Sequence, residues 1–135
     1  MSALPQYAPF EISKAVSAHS IALGFIKNTD SEFEFVGPFA AEIEKYFDLN
    51  LVDELTFFSP TGKSGELFEI PVSGTDSQTD RIFLVGVGDQ SGAAARSAGA
   101  AVGRKVRGKS TSVFSACVVS EIKSHAISIV LGAWV

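Results

Sequence analysis

The segment RIFLVGVG, residues 81–88, is apolar at every position from Ile82 to Val87 apart from Gly86, and an alanine-rich stretch follows it at once. A strand with no polar face has to be covered on both sides, which is the condition of a strand inside a parallel sheet. The following DQSGAAARSAGAAVGRKVRGK reads as a helix. Ser91 or Asp89 is placed to cap its start and Gly108 to close it. Gly99 and Gly103 are poor helix formers that leave room for close backbone approach, so this helix is expected tight against the sheet.

The rest of the chain falls into the same alternation. HSIALGFIK, residues 19–27, reads as a first strand, and NTDSEFEFVG as either a loop or a short exposed strand carrying Phe33 and Phe35. In PFAAEIEKYF, the residues Phe39, Ile43, Tyr46 and Phe47 recur at helical spacing behind Pro38, a residue suited to a first turn. LNLVDELTFF fits a short helix or a strand, GELFEIPV and STSVFSACVV fit strands, and EIKSHAISIVLGAWV sets Ile122, Ala126, Ile129, Val130, Ala133 and Trp134 along one helical stripe. Alternating strands and helices predict α/β layers with a mixed, mostly parallel sheet and helices on both faces. The final IVLGAWV stops in mid-helix, so the sequence reads as cut from a longer protein, with Trp134 and Val130 partly exposed or against a neighbouring chain.

At 135 residues, 46% hydrophobic and 19% charged, the chain suits one globular domain, residues 1–135. The single cysteine, Cys117, lies in an apolar run and reads as a small core residue; with no intrachain disulfide possible, a reducing cytoplasmic setting is expected. The N-terminus has no basic region and apolar core of a secretory signal, and no apolar run is long enough to span a bilayer, so no membrane partner is expected. The net charge of −4 is uneven: residues 1–79 hold twelve acidic and four basic residues, and the remainder three and seven. Most of the basic excess lies in RKVRGK, residues 104–109, where cations complement a helix C-terminus. The same Arg104, Lys105, Arg107 and Lys109 are the candidates for a nucleic-acid contact, although one short cluster falls below the usual basic footprint.

Candidate chemistry is sparse. SPTGKSGE, residues 59–66, contains Gly-Lys-Ser, the tail of a phosphate-binding loop, but Phe57 stands where that loop needs its first glycine and a strand follows instead of a helix. A glycine-rich turn is the simpler reading. GVGDQSG, residues 86–92, lies at a strand-to-helix junction, where open α/β sheets bind ligands, which makes Gly86, Gly88, Ser91 and Gly92 the weak ligand candidates; Ser91 replaces the third glycine of a dinucleotide fingerprint. His19 and His125 have no metal-ligand neighbours at suitable spacing, no serine-nucleophile elbow is present, and the carboxylates of EIEKYFD and VDELT suit a solvated helix face. No catalytic residue and no metal ligand is assigned from the residues themselves.

Several of these segments, in order, resemble the N-terminal domain of the leucyl aminopeptidase (cytosol aminopeptidase) family. TGKSGE is similar to the Gly-Lys turn before a strand in that domain, RIFLVGVGDQ to its apolar strand ending in Gly-x-Gly, and ARSAGAAVGRKVRGK to the helix that follows. SHAISIVLGAWV is similar to a helix that usually reads Glu-Gly-x-x-Leu-Gly-x-Tyr, with Ala126 and Ile127 near the Glu-Gly and Trp134 for the tyrosine. NTDSE, residues 28–32, echoes the family's catalytic Asn-Thr-Asp-Ala-Glu, but that signature belongs to the C-terminal domain. Here Phe33 follows Asp30 and Glu32 with no lysine or aspartate cluster, so the echo is read as coincidence.

The resemblance implies a three-layer, macro-domain-like fold and a non-catalytic, architectural role. The implied parent is a cytosolic, hexameric peptidase whose two divalent ions, zinc or manganese, lie in a catalytic domain absent from this chain. The expected partners are that catalytic domain and sibling subunits. Two other functions stay open: an ADP-ribose-type ligand at Gly86–Gly92, and attachment to DNA through the basic cluster.

Overall fold

Strand β1, Ser20–Lys27, and strand β4, Arg81–Gly86, run parallel at the centre of a five-stranded sheet, in the register Ile21 opposite Ile82 and Leu23 opposite Leu84. The computed structural model describes residues 15–28, 32–73, 77–108, 112–118 and 129. The other elements, in chain order, are β2 (Phe33–Phe35), α1 (Phe39–Phe47), α2 (Leu51–Phe57), β3 (Leu67–Pro71), α3 (Gly92–Val106) and β5 (Val113–Ala116). Two of the flanking pairs are antiparallel, β3 on the outer edge of β4 and β2 beside the end of β1, and the third, β5 beside the start of β1, is parallel. The sheet is therefore mixed and the fold α/β, as expected.

Side-chain alternation divides the core into two layers. Ile21, Leu23 and Phe25 of β1, with Ile82 and Leu84 of β4, face α1 and α2, where they meet Phe39, Ile43, Leu51 and Leu55. Ala22, Phe83 and Val85 face the opposite way, onto Ala95, Ala98 and Val102 of α3. Helices thus cover both faces. The small residues of α3 allow it to lie close, and both Gly99 and Gly103 are buried as expected.

The ambiguous LNLVDELTFF segment is helical for a local reason. Asn50 caps α2 by accepting the Asp53 N–H at 3.1 Å, and the Glu44 carboxylate takes the Leu51 N–H at 2.8 Å. Pro38 stands at the cap of α1, one residue before its first turn. β2 is a strand, and its phenylalanines are half-buried: Phe33 meets Phe25 edge-on at 6.1 Å between ring centres. β5 is shorter than its apolar run suggests, and the segment around Trp134 and Val130 lies outside the described residues.

One edge of β1 serves two strands. β5 pairs with Ser20–Leu23 and β2 with Phe25–Lys27, and the exchange occurs at Gly24. There the Val36 N–H bonds the Gly24 carbonyl at 2.9 Å, while the chain leaving β5 crosses so closely that a Cβ on Gly24 would overlap the Cys117 carbonyl oxygen. A backbone oxygen cannot swing aside as a side-chain tip can. Gly24→Ala is therefore expected to cost about 1–3 kcal/mol, read as a lower urea midpoint at unchanged slope; a wild-type midpoint would show that the crossing has slack.

Candidate functional site

The Gly-Lys-Ser segment forms a turn built around one carboxylate. Glu66 curls back so that its oxygens accept the Thr61 N–H at 3.0 Å, the Gly62 N–H at 2.9 Å and the Thr61 hydroxyl at 3.1 Å. Gly62 and Gly65 take φ of +85° and +90°, the left-handed region that favours glycine. The chain then enters β3, so the helix that a phosphate loop requires is not there.

The turn rests on the end of β4 through its backbone. Gly65 N–H bonds the Gly86 carbonyl at 2.9 Å, and Gly86 N–H bonds the Glu66 carbonyl at 2.7 Å. A Cβ on Gly86 would overlap the Lys63 carbonyl oxygen, and one on Gly88 would come within 3.2 Å of the Ser64 Cβ. The two glycine motifs of the sequence thus meet each other. Gly86-x-Gly88 leaves room for a neighbouring turn.

Beyond Gly88, the ligand-candidate stretch is occupied by its own capping bonds. Ser91 accepts the Ala94 N–H at 3.1 Å, and the Asp89 carboxylate accepts the Ser91 N–H at 2.9 Å. The hydroxyl of Ser91, and then its backbone N–H, hold the Asp89 carboxyl below the usual carboxylate range. An anion approaching Ser91 and Gly92 would meet this carboxylate first. Asp89 and Ser91 both take part in the cap, and Gly108, at φ +77°, follows the helix end.

The other candidates are dispersed. His19 is exposed, with its Nδ1 3.2 Å from the Ser112 hydroxyl and its backbone N–H donating to the same oxygen at 3.0 Å, a clasp at the start of β1 and β5. Cys117 is fully buried, and desolvation pushes its thiol up to about 12, far from the range of a reactive thiolate. Glu32 is exposed, and Asp30, Lys109 and His125 lie outside the described residues. Among the described residues, no three His, Cys, Asp or Glu side chains are grouped to hold a metal ion, so they do not fit a two-metal centre.

The basic cluster divides between two roles. Lys105 lies 3.1 Å from Glu69, which also pairs with Arg81 at 2.7 Å, whereas Arg104 lines a groove of about 510 Å³ between α3 and the Thr61–Glu66 turn. Lys63, Ser64 and Ser97 line it as well. Sequence reading misses this gathering, because Ser97 and Arg104 share a helix face seven residues apart while Lys63 is remote in the chain. The contacts of the turn with Gly86 and Gly88, and of Gly65 with Ser97, bring them together.

The family model for the N-terminal domain of the cytosol aminopeptidase family matches residues 38–135, well over half the chain. A search of curated proteins finds no match. The matched span begins at α1 and includes the Glu66 turn, β4, α3 and β5.

Two measurements check this description. Glu66→Ala removes the acceptor for the turn's donors and is expected to cost about 1.5–3 kcal/mol, of which Glu66→Gln recovers part; chemical unfolding of the two variants reads the difference. Cys117 is expected to resist a disulfide-exchange reagent such as Ellman's at pH 8 in the folded protein and to react once urea unfolds it. Rapid reaction in the folded state would contradict the burial of the thiol.

Proposed function

Because the chain belongs to the cytosol aminopeptidase family as an N-terminal domain, we propose that its role is architectural within a larger aminopeptidase. In this reading it packs beside a catalytic domain, supports assembly of sibling subunits into a hexamer and limits access of substrates, in a cytoplasmic setting. The catalytic ions, zinc or manganese, belong to that other domain, and no step of peptide hydrolysis is assigned to the residues described here. The family match carries the reading. The use of the motif residues is consistent with it: the Gly-Lys-Ser turn, Gly86-x-Gly88 and Ser91 all make contacts that hold the fold.

DNA attachment and an ADP-ribose-type ligand draw less support. Lys105, one of the four cations of the basic cluster, is bonded to Glu69, and Asp89 stands at the strand-to-helix junction.

Purified chain is expected to leave leucine p-nitroanilide unhydrolysed with added Mn²⁺ or Zn²⁺. Peptide hydrolysis of this kind needs two ions, each fixed by several ligands. Turnover that disappears in an Asp30→Asn, Glu32→Gln double variant would place an active site in this domain and overturn the proposal. For the architectural half, the test is light scattering of the parent with and without this domain. The full-length parent is expected to form the larger assembly, and equal assembly and activity after deletion would refute the role.

A further inference from the structure

The groove between α3 and the Thr61–Glu66 turn has an unusual balance of charge. Two exposed cations, Lys63 and Arg104, line it from elements distant in sequence, and neither has a carboxylate partner among the described residues. Ser64 and Ser97 add hydroxyl groups to the same walls. Glu66 also lines the groove, but both of its oxygens are bonded to Thr61, and one of them to Gly62 as well. Its oxygens are thus taken up by the turn, and against the two cations its charge leaves the lining with one net positive charge.

A second opening of about 380 Å³ shares Gly65 and Arg104 with the first and extends along α3 past Leu67 and Ala101. Lys105 borders that extension while pairing with Glu69. Two like charges kept together on a folded surface repel, and an anion placed between them removes that cost.

We propose that this groove binds a small phosphate-bearing ligand, with Lys63 and Arg104 carrying its charge and the Ser64 and Ser97 hydroxyls donating to its oxygens. Phosphate fits this set better than carboxylate does. It offers up to four acceptor oxygens and close to two negative charges, whereas a carboxylate offers two oxygens and one charge. Arg104 is suited to grip two of those oxygens at once, and Lys63 acts as a mobile point charge. The volume of about 510 Å³ leaves room for a diphosphate.

The groove adjoins the strand-to-helix junction, since Lys63 and Ser64 lie against Gly86 and Gly88, but none of Gly86–Gly92 lines it, and its ligand is held by side chains instead of helix-end amides.

The test is calorimetric titration of the whole chain with pyrophosphate at constant ionic strength. Saturable one-to-one binding is expected, weakened about tenfold by Arg104→Gln, further by Lys63→Gln in the same chain, and several-fold by Ser97→Ala. These side chains are exposed, so melting curves of the free variants should match wild type. Arg107→Gln removes a cation that does not line the groove and is expected to leave the affinity within about twofold, since an exposed, screened charge acts weakly at a distance. Absence of saturable heat, or equal weakening by Arg107→Gln and Arg104→Gln, would overturn the proposal. So would salt-dependent binding of a DNA duplex without a pyrophosphate response, which would identify the helix end as a general backbone contact.

Discussion

Burial of the β1–β4 pair on both faces is the constraint that the rest of the structure satisfies. Ile21, Leu23, Ile82 and Leu84 look one way, and Ala22, Phe83 and Val85 the other, all of them at most 2% exposed. Each fully buried large apolar side chain contributes about 1.5–3 kcal/mol relative to exposure, so a sheet left bare on either side would not hold. α1 and α2 cover one face with large residues, whereas α3 covers the other mainly with alanine and glycine beside Val102. On the α1–α2 side Phe39 and Leu51 pack with Ile21, Leu23 and Phe25, and on the α3 side Ala95, Ala98 and Val102 pack with Ala22, Phe83 and Val85.

Close covering also explains why the glycine motifs are structural. Gly24 and Gly86 lie on the two central strands, and each is crossed by a backbone carbonyl, of Cys117 and Lys63 respectively. In both cases the crossing segment has already left its strand or not yet entered one. It therefore needs hydrogen-bond partners outside the regular ladder, and the Lys63–Glu66 turn finds them at Gly86. A phosphate loop and such a crossing place similar demands on sequence, because both require backbone to approach closely. They differ in what approaches: an anion in the first, another stretch of chain in the second.

That ambiguity sets what was legible in the sequence. The apolar run of β4 and the alanine periodicity of α3 are local signals, and both elements appear where the pattern puts them. The α2 segment was ambiguous because two bonds decide it, one from Asn50 within the segment and one from Glu44 on the preceding helix; spacing alone does not reveal the second. The half-burial of Phe33 and Phe35 depends on which strand they pair with, a tertiary fact. Of the candidate site, the turn was legible as a turn, but its meeting with Gly86 and the resulting groove were not. Lys63 and Arg104 come together only once β3 and β4 have paired.

The same pairing brings one carboxylate of the acidic first part, Glu69, to two cations of the basic second part. The acidic first part and the basic second part meet where β3, β4 and α3 adjoin, and there Glu69 takes both Arg81 and Lys105 while Asp80 takes Arg81 again at 3.0 Å. Each of these contacts is partly exposed and contributes at most about 1 kcal/mol, so their main effect is to decide which cations are neutralised, with little influence on the fold. Arg104 and Lys105 are adjacent in sequence, yet the helical turn sends Lys105 to Glu69 and leaves Arg104 on the groove wall. The carboxylate nearest to Arg104 in that groove is Glu66, which is engaged with Thr61 and Gly62 because the turn needs it. The bonds that close the turn therefore hold Glu66 away from an ion pair with Arg104, and two cations against one carboxylate give the groove a net positive charge.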